Sequence, residues 1–274
     1  MITGMTNDKA ARFRALHTTT PPLLLPNCWD AGSAAVIADA GAAAIATTSA
    51  GVAWSLGRPD GDHLDRDAAV GVVERVVRAV DVPVTADIES GFGRTPKGVR
   101  KTLAAVASAG AVGVNIEDSV ADQPGSLRPL TDQAERLAAA REGAGADLFI
   151  NARIDIYLAG IGEPETRLAA AIERAAAYTE AGVDGIFVPG VTDPETITAL
   201  VNAISLPLNI MAGPGAPAPS ALAKLGVSRI SLGPGLAAAA YAAARRATTT
   251  LLESDSYDAG EGGVDFGTMQ TLLK

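Results

Sequence analysis

The sequence predicts a single (β/α)8 barrel, and three observations carry that reading. Eight short β-like runs recur along the chain, Ala-rich helical stretches lie between them, and no Gly-x-Gly-x-x-Gly fingerprint follows the first run. Strand–helix alternation implies a parallel sheet, and eight such units fill one barrel. A doubly wound open sheet is the alternative, but it usually has fewer strands and a Gly-rich first turn, where this chain has "NCWDAGSA".

Residues 1–20 read as an N-terminal helical arm. "LLLPNCWD" (23–30) opens the barrel, and the helix "SAAVIADAG" (33–41) follows it. "AAIATTSAG" (43–51) is the second strand, then a long loop and the helix "AAVGVVERVVRAV" (68–80). "VPVTADIE" (82–89) is the third, followed by "PKGVRKTLAAVASAG" (96–110). "GVNIED" (113–118) and "LFINARID" (148–155) are the fourth and fifth, and "ETRLAAAIERAAAYTEAG" (165–182) is the next helix. "GIFVPG" (185–190), "PLNIMAGP" (207–214) and "RISLGPG" (229–235) complete the set. Helices stop at Ala-Gly before the next strand, at Gly41, Gly110 and Gly182, because glycine is the favoured C-terminal stop. Residues 236–254 form the last helix, and 255–274 are a tail of loop and short amphipathic end. No linker-like or low-complexity segment interrupts 21–254, so that stretch reads as one domain.

The chain has 274 residues, 48% of them hydrophobic, enough for a large core and against disorder. No apolar stretch reaches membrane-spanning length without a break, and the N-terminus lacks a secretory apolar region, so a cytoplasmic protein is expected. One cysteine, Cys28, rules out an internal disulfide and a multi-cysteine zinc site. The net charge of −9, with no Lys/Arg run, argues against a nucleic-acid partner.

Barrel active sites lie at the carboxyl ends of the strands. There the chain places Asp60, Asp87, Glu89 and Glu117, with Arg153 as the main cation nearby. Alternation along a strand turns Asp87 and Glu89 to one face. Carboxylates crowded in one mouth raise one another's pKa, and a hard divalent cation removes the conflict. All-oxygen donors without clustered His or Cys point to Mg²⁺ or Mn²⁺ rather than Zn²⁺. Asp30 and Asp118 read as helix caps or partners of loop amides. Arg153 reads as an anion holder, with a salt-bridge role as the alternative. No strand carries a lysine, against a Schiff-base aldolase, and neither His17 nor His63 ends a strand, against a Ser-His-Asp triad. Cys28 reads as a buried, inert thiol. The Gly-Pro-Gly turns ending strands seven and eight read as tight turns or as phosphate cradles.

The stretches "PNCWDAGSA", "TTSAGVAWSLGRPDGD", "TADIESGFG", "VNIED" and "NARIDIY", in this order and spacing, resemble the isocitrate lyase/phosphoenolpyruvate mutase superfamily over residues 22–235. The resemblance implies a (β/α)8 barrel that exchanges its last helix, here 236–254, in a homotetrameric dimer of dimers. It implies Asp87 as the direct Mg²⁺ ligand, with Asp60, Glu89 and Glu117 holding the metal's water shell. Ser49 and Ala50, with Gly51 beside them, fall where backbone amides grip a substrate carboxylate. Arg153 falls where an arginine binds a carboxylate or phosphonate, and Arg153 and Glu117 are the catalytic pair. The family pattern has Asp-x-Asp where this chain has Asp87-x-Glu89.

The implied activity is Mg²⁺-dependent C–C cleavage of a small 2-oxo- or 2-hydroxy-carboxylate through an enolate, with the small acid as partner and neither nucleic acid nor membrane. The alternatives are P–C chemistry of the phosphonopyruvate mutase or hydrolase type, or a catalytically degenerate barrel that binds small acids. The family's lyases carry a Lys-Lys-Cys-Gly-His-type segment after strand four, whose Cys is the catalytic acid. Here the region reads "DSVADQPGSLRPL" (118–130), without Cys, His or Lys. Arg128 in this loop is a candidate to close over an anion, and Pro124, Gly125 and Pro129 suit a gating loop or a plain turn. A metal-bound water, Tyr157 and His63 are the candidate proton donors.

Overall fold

The computed structural model describes residues 2–123, 125–254, 256–257 and 262–274. Pro124 and parts of the predicted tail lie outside the described residues. The strands are β1 (Leu23–Leu25), β2 (Asn27–Cys28), β3 (Ile45–Thr47), β4 (Val84–Asp87), β5 (Gly113–Glu117), β6 (Phe149–Arg153), β7 (Gly185–Phe187), β8 (Leu208–Met211) and β9 (Arg229–Ser231). All neighbouring pairs are parallel. The helices are α1 (Ile2–Leu16), α2 (Ala31–Asp39), α3 (Ser49–Ser55), α4 (Arg66–Ala79), α5 (Pro96–Ser108), α6 (Leu130–Ala144), α7 (Pro164–Glu180), α8 (Pro194–Ala203), α9 (Pro219–Lys224), α10 (Gly235–Ser254) and α11 (Phe266–Leu272).

The predicted barrel is present, but its first strand is divided. Pro26 has no N–H to donate, and the chain changes partner there. β1 pairs with β9 on one side of the break and β2 with β3 on the other. The sheet order therefore runs from β1 through β9 and back to β2, and the covalent link at Pro26 joins its two ends. Asn27 seals the junction: its Nδ2 donates to Thr47 O at 3.0 Å, and its Oδ1 accepts from Leu232 N at 2.9 Å.

Two further boundaries differ from the sequence reading. The second strand ends at Thr47, and Ser49, Ala50 and Gly51 begin helix α3 with Thr48 as N-cap. The third strand ends at Asp87, and Glu89 lies beyond it with φ of 51°. Strand alternation therefore does not relate Asp87 to Glu89. The predicted helix stops hold: Gly41, Gly110 and Gly182 have φ of 96°, 90° and 90°. Asp30 caps α2 in a reciprocal box with Ser33, as expected of it.

Helix α1 does not project as an arm. It seals the amino-terminal end of the barrel, where Phe13 is fully buried with Leu23, Ala44, Val112 and Phe149. The Phe13 and Phe149 rings meet edge to face at 5.6 Å, and His17 stacks on Phe149 at 4.2 Å. The opposite, carboxyl end is left open. α10 lies largely exposed with Ala237 as its buried residue, although Tyr241 reaches Trp54 of α3. Among the described residues, no helix is long and apolar enough to cross a membrane.

Candidate active site

The open end of the barrel holds a cavity of about 170 Å³. Pockets for drug-sized ligands run to about 300–1,000 Å³, so this one suits a small acid. Its polar lining includes Ser49, Asp60, Asp87, Asn115 and Arg153, and Leu158, Phe187 and Met211 form an apolar wall.

Sheet register sets the charged floor. β5 and β6 pair Glu117 with Arg153, and β4 and β5 pair Asp87 with Asn115. Arg153 Nη1 lies 2.8 Å from Glu117 Oε2 and 3.9 Å from Asp87 Oδ2. The other edge of its guanidinium forks onto Asp155, with Nε to Oδ1 at 2.6 Å and Nη2 to Oδ2 at 3.0 Å. Burial alone would lower the Arg153 pKa, but Glu117, Asp155 and Asp87 together raise it, so the guanidinium stays charged. Burial lifts Asp87 to about 6, Arg153 opposes the shift, and Glu117 and Asp60 add to it. Ser119 Oγ donates to Glu117 Oε1.

Asp60 reaches the cavity from the exposed loop after α3. Lost solvation and the Glu117 charge raise its pKa, while the Ser49 hydroxyl lowers it. Ser49 and Ala50 also line the cavity. Thr48 makes no side-chain cap bond, which leaves the first N–H groups of α3 available to a ligand. Gly51 packs behind them: a Cβ there would lie 2.8 Å from both Thr48 and Trp29 side chains.

Glu89 has a different setting from its predicted companions. It does not line the cavity, and its Oε2 accepts from Gly61 N at 3.0 Å and from Asp62 N. It thereby ties down the loop that presents Asp60. Burial raises its pKa to about 8, with the Asp62 amide bond opposing. The chain leaves β4 through Gly91 and Gly93, and at Gly93 a Cβ would come within 2.6 Å of the Gly98 backbone.

Asp118, expected to cap a helix or hold loop amides, does the latter. It accepts from Asp155 N at 2.9 Å, and its other oxygen takes Arg174 and Tyr178 Oη. Cys28 is fully buried, and burial pushes its thiol up to about 12. In the segment after β5, Ser119 and Leu127 form an isolated antiparallel bridge. Arg128 turns toward Asp132 at 3.6 Å and is not at the cavity wall, and neither are Tyr157 and His63.

The carboxylates that face the cavity are Asp60 and Asp87. Among the described residues, no three His, Cys, Asp or Glu side chains form a ready-made metal cluster. Mg²⁺ does not need one, because it keeps several waters and binds through one or two carboxylates plus substrate. The donor set therefore fits a hard cation. Sequence reasoning missed Leu158, Phe187 and Met211, and also Arg229, a fully buried arginine at the start of β9. A lone Arg opening the apolar run "RISLGPG" was the available signal.

The phosphoenolpyruvate phosphomutase family model matches residues 13–252. The chain belongs to that family. An uncharacterised protein of Mycobacterium tuberculosis (strain ATCC 25618 / H37Rv) is 37% identical over 240 residues, 84% of this chain and 87% of that one. The 2-methylisocitrate lyase of Escherichia coli (strain K12) is 32% identical over 204 residues, 72% of this chain and 67% of that one. A crystal structure of a candidate phosphonomutase from Burkholderia cenocepacia J2315 is 46% identical, with a TM-score of 0.83, covering 90% of this chain and 100% of that one. The superfamily resemblance read from the motifs is therefore correct, and the family is one of enzymes.

Proposed function

We propose that this phosphomutase-family chain cleaves a C–C bond of a small 2-oxo- or 2-hydroxy-carboxylate, with Mg²⁺ as cofactor. The observation that carries this reading is the pairing of Arg153 with Asp87 at a small cavity over a floor richer in carboxylate than in cation. Asp87 would hold the ion, with Asp60 and Glu117 bonding its waters. A bound Mg²⁺ would supply Lewis-acid stabilisation of the negative charge that develops on the leaving enolate. The N–H groups of Ser49 and Ala50 orient the substrate carboxylate. The Arg153 guanidinium balances its charge, held in one plane by the Asp155 fork. Leu158, Phe187 and Met211 exclude water from the apolar side. On the resemblance, α10 is exchanged between subunits of a dimer of dimers, and its wide exposure supports that reading.

A second reading is P–C chemistry on a phosphonopyruvate-like acid, favoured by the 46% identity to the candidate phosphonomutase. A mass-spectrometric turnover screen with Mg²⁺ over oxaloacetate, substituted malates, isocitrates and phosphonopyruvate separates the two. Cleavage of a malate or oxo acid supports the first reading, and conversion of phosphonopyruvate alone supports the second. Tight oxalate binding without turnover of any acid refutes both and leaves a small-acid-binding barrel.

A further inference from the structure

Beneath the cavity the barrel interior is polar where a hydrophobic layer is usual. Asn115, Asn151, Asn209 and Arg229 are all buried there, each at most 3% exposed. Their hydrogen bonds form a chain with a fixed direction. Asn209 Nδ2 faces the carbonyl oxygens of Ile210 at 2.9 Å and Arg229 at 3.3 Å, which only accept, so that atom is the amide nitrogen. Asn209 Oδ1 then takes a hydrogen from Asn151 Nδ2 at 3.2 Å, and the same nitrogen donates to Asn115 Oδ1 at 2.9 Å. Arg229 supplies an independent constraint. A guanidinium has no acceptor, so the Asn115 atom 3.0 Å from Arg229 Nη2 must be the oxygen.

Both routes agree that the Asn115 oxygen faces the interior. Its NH₂ is the end left over. Asn115 lines the cavity beside Asp87, and among the described residues no acceptor bonds its Nδ2. We propose that Asn115 is a substrate-binding, specificity-determining residue whose amide is locked as a hydrogen-bond donor toward the cavity, with Arg229 and Asn151 as its positioning residues. The inference deepens the proposed function and rests on it. A locked donor selects an oxygen acceptor, a carboxylate or a carbonyl, at one place on the cavity floor. An amide free to flip would accept a hydroxyl donor there equally well. Arg229 serves this role without reaching the ligand: it is buried and is not among the residues that line the cavity.

The test is the pair Asn115→Asp and Asn115→Ala, titrated calorimetrically with oxalate and Mg²⁺, with thermal melting alongside. Asn115→Asp keeps the oxygen that Arg229 and Asn151 bond and replaces only the cavity-facing NH₂ by oxygen. It also gives buried Arg229 a counter-charge, so the melting temperature should hold. Oxalate affinity should nevertheless fall at least tenfold, and Asn115→Ala should lose affinity as well. A purely structural role would move the melting temperature and leave affinity alone. Wild-type affinity in either folded variant overturns the inference while leaving the proposed function standing. A wild-type protein that binds no oxalate, with or without Mg²⁺, overturns the proposed function and this inference with it.

Discussion

Replacing Arg153 by lysine tests the charged floor most directly. The guanidinium reaches Glu117 at 2.8 Å with one nitrogen and spans both oxygens of Asp155 with two others. A lysine ammonium is a point charge and cannot make both contacts in that geometry. If it keeps Glu117, the two-pronged bond to Asp155 is lost, and Asp155 is buried. Hydrogen bonds to charged groups contribute about 1.5–3 kcal/mol each, and breaking a buried pair by removing one partner costs about 3–5 kcal/mol. At roughly 2–4 °C per kcal/mol for a chain near this size, the midpoint should fall by about 6–20 °C. Calorimetric melting at pH 7 without added metal reads this, and titration with oxalate should show at least a tenfold loss of affinity alongside it.

The pH dependence supplies an internal check with a fixed sign. Burial raises the folded-state pKa of Asp155 above its unfolded value, with Arg153 opposing. A raised carboxyl binds more protons folded than unfolded, so its contribution is present below the unfolded pKa and is lost as pH rises through the folded one. Removing the fork raises that carboxyl further. The deficit of Arg153→Lys should therefore be larger at pH 8 than at pH 5. A midpoint within about 2 °C of wild type at pH 7, or a deficit that grows on acidification, would refute the reasoning.

Three other outcomes are expected. Asp87 sits near 6 and must lose its proton to hold a cation, so Mg²⁺-dependent oxalate affinity should fall about tenfold per pH unit below that value; titrations at pH 5 and 7 check this, and Asp87→Ala should abolish the metal dependence. Glu89→Gln should keep the amide contacts to Gly61 and Asp62 and bind oxalate almost as wild type, whereas Glu89→Ala should release the Asp60 loop and weaken it; equal losses in both would instead place the Glu89 charge itself in the metal's surroundings. Phe13→Ala should cost about 3–5 kcal/mol, because it empties the seal at the closed end of the barrel; denaturant unfolding measures it.

The fold was legible because its signals are local and repeated. Strand runs, helices stopped by glycine and the missing dinucleotide fingerprint each depend on a few neighbouring residues. What escaped was the partner change at Pro26, since a sequence shows that proline lacks an N–H but not that the chain uses the gap to close a sheet. The site was legible as a set of residues and less so as an arrangement. Asp87, Glu117 and Arg153 gather because each ends a strand and register does the rest, whereas Asp60 arrives on the loop after α3 that Glu89 ties down.

Glu89 shows where pattern reading stops. The two-residue period holds only while the backbone stays extended, and the chain leaves β4 at Asp87 and enters a left-handed conformation two residues later. From there loop amides, rather than alternation, decide which way the side chain points. Those amides belong to Gly61 and Asp62, far away in sequence. The same holds for Arg229 and Asn115, which are 114 positions apart and meet only because β9 and β5 face each other across the barrel. A buried guanidinium at the start of an apolar strand is costly unless something requires it. Its presence in "RISLGPG" therefore already signalled that the barrel interior carries polar work. Which amide it orients became readable only once the strands were in register.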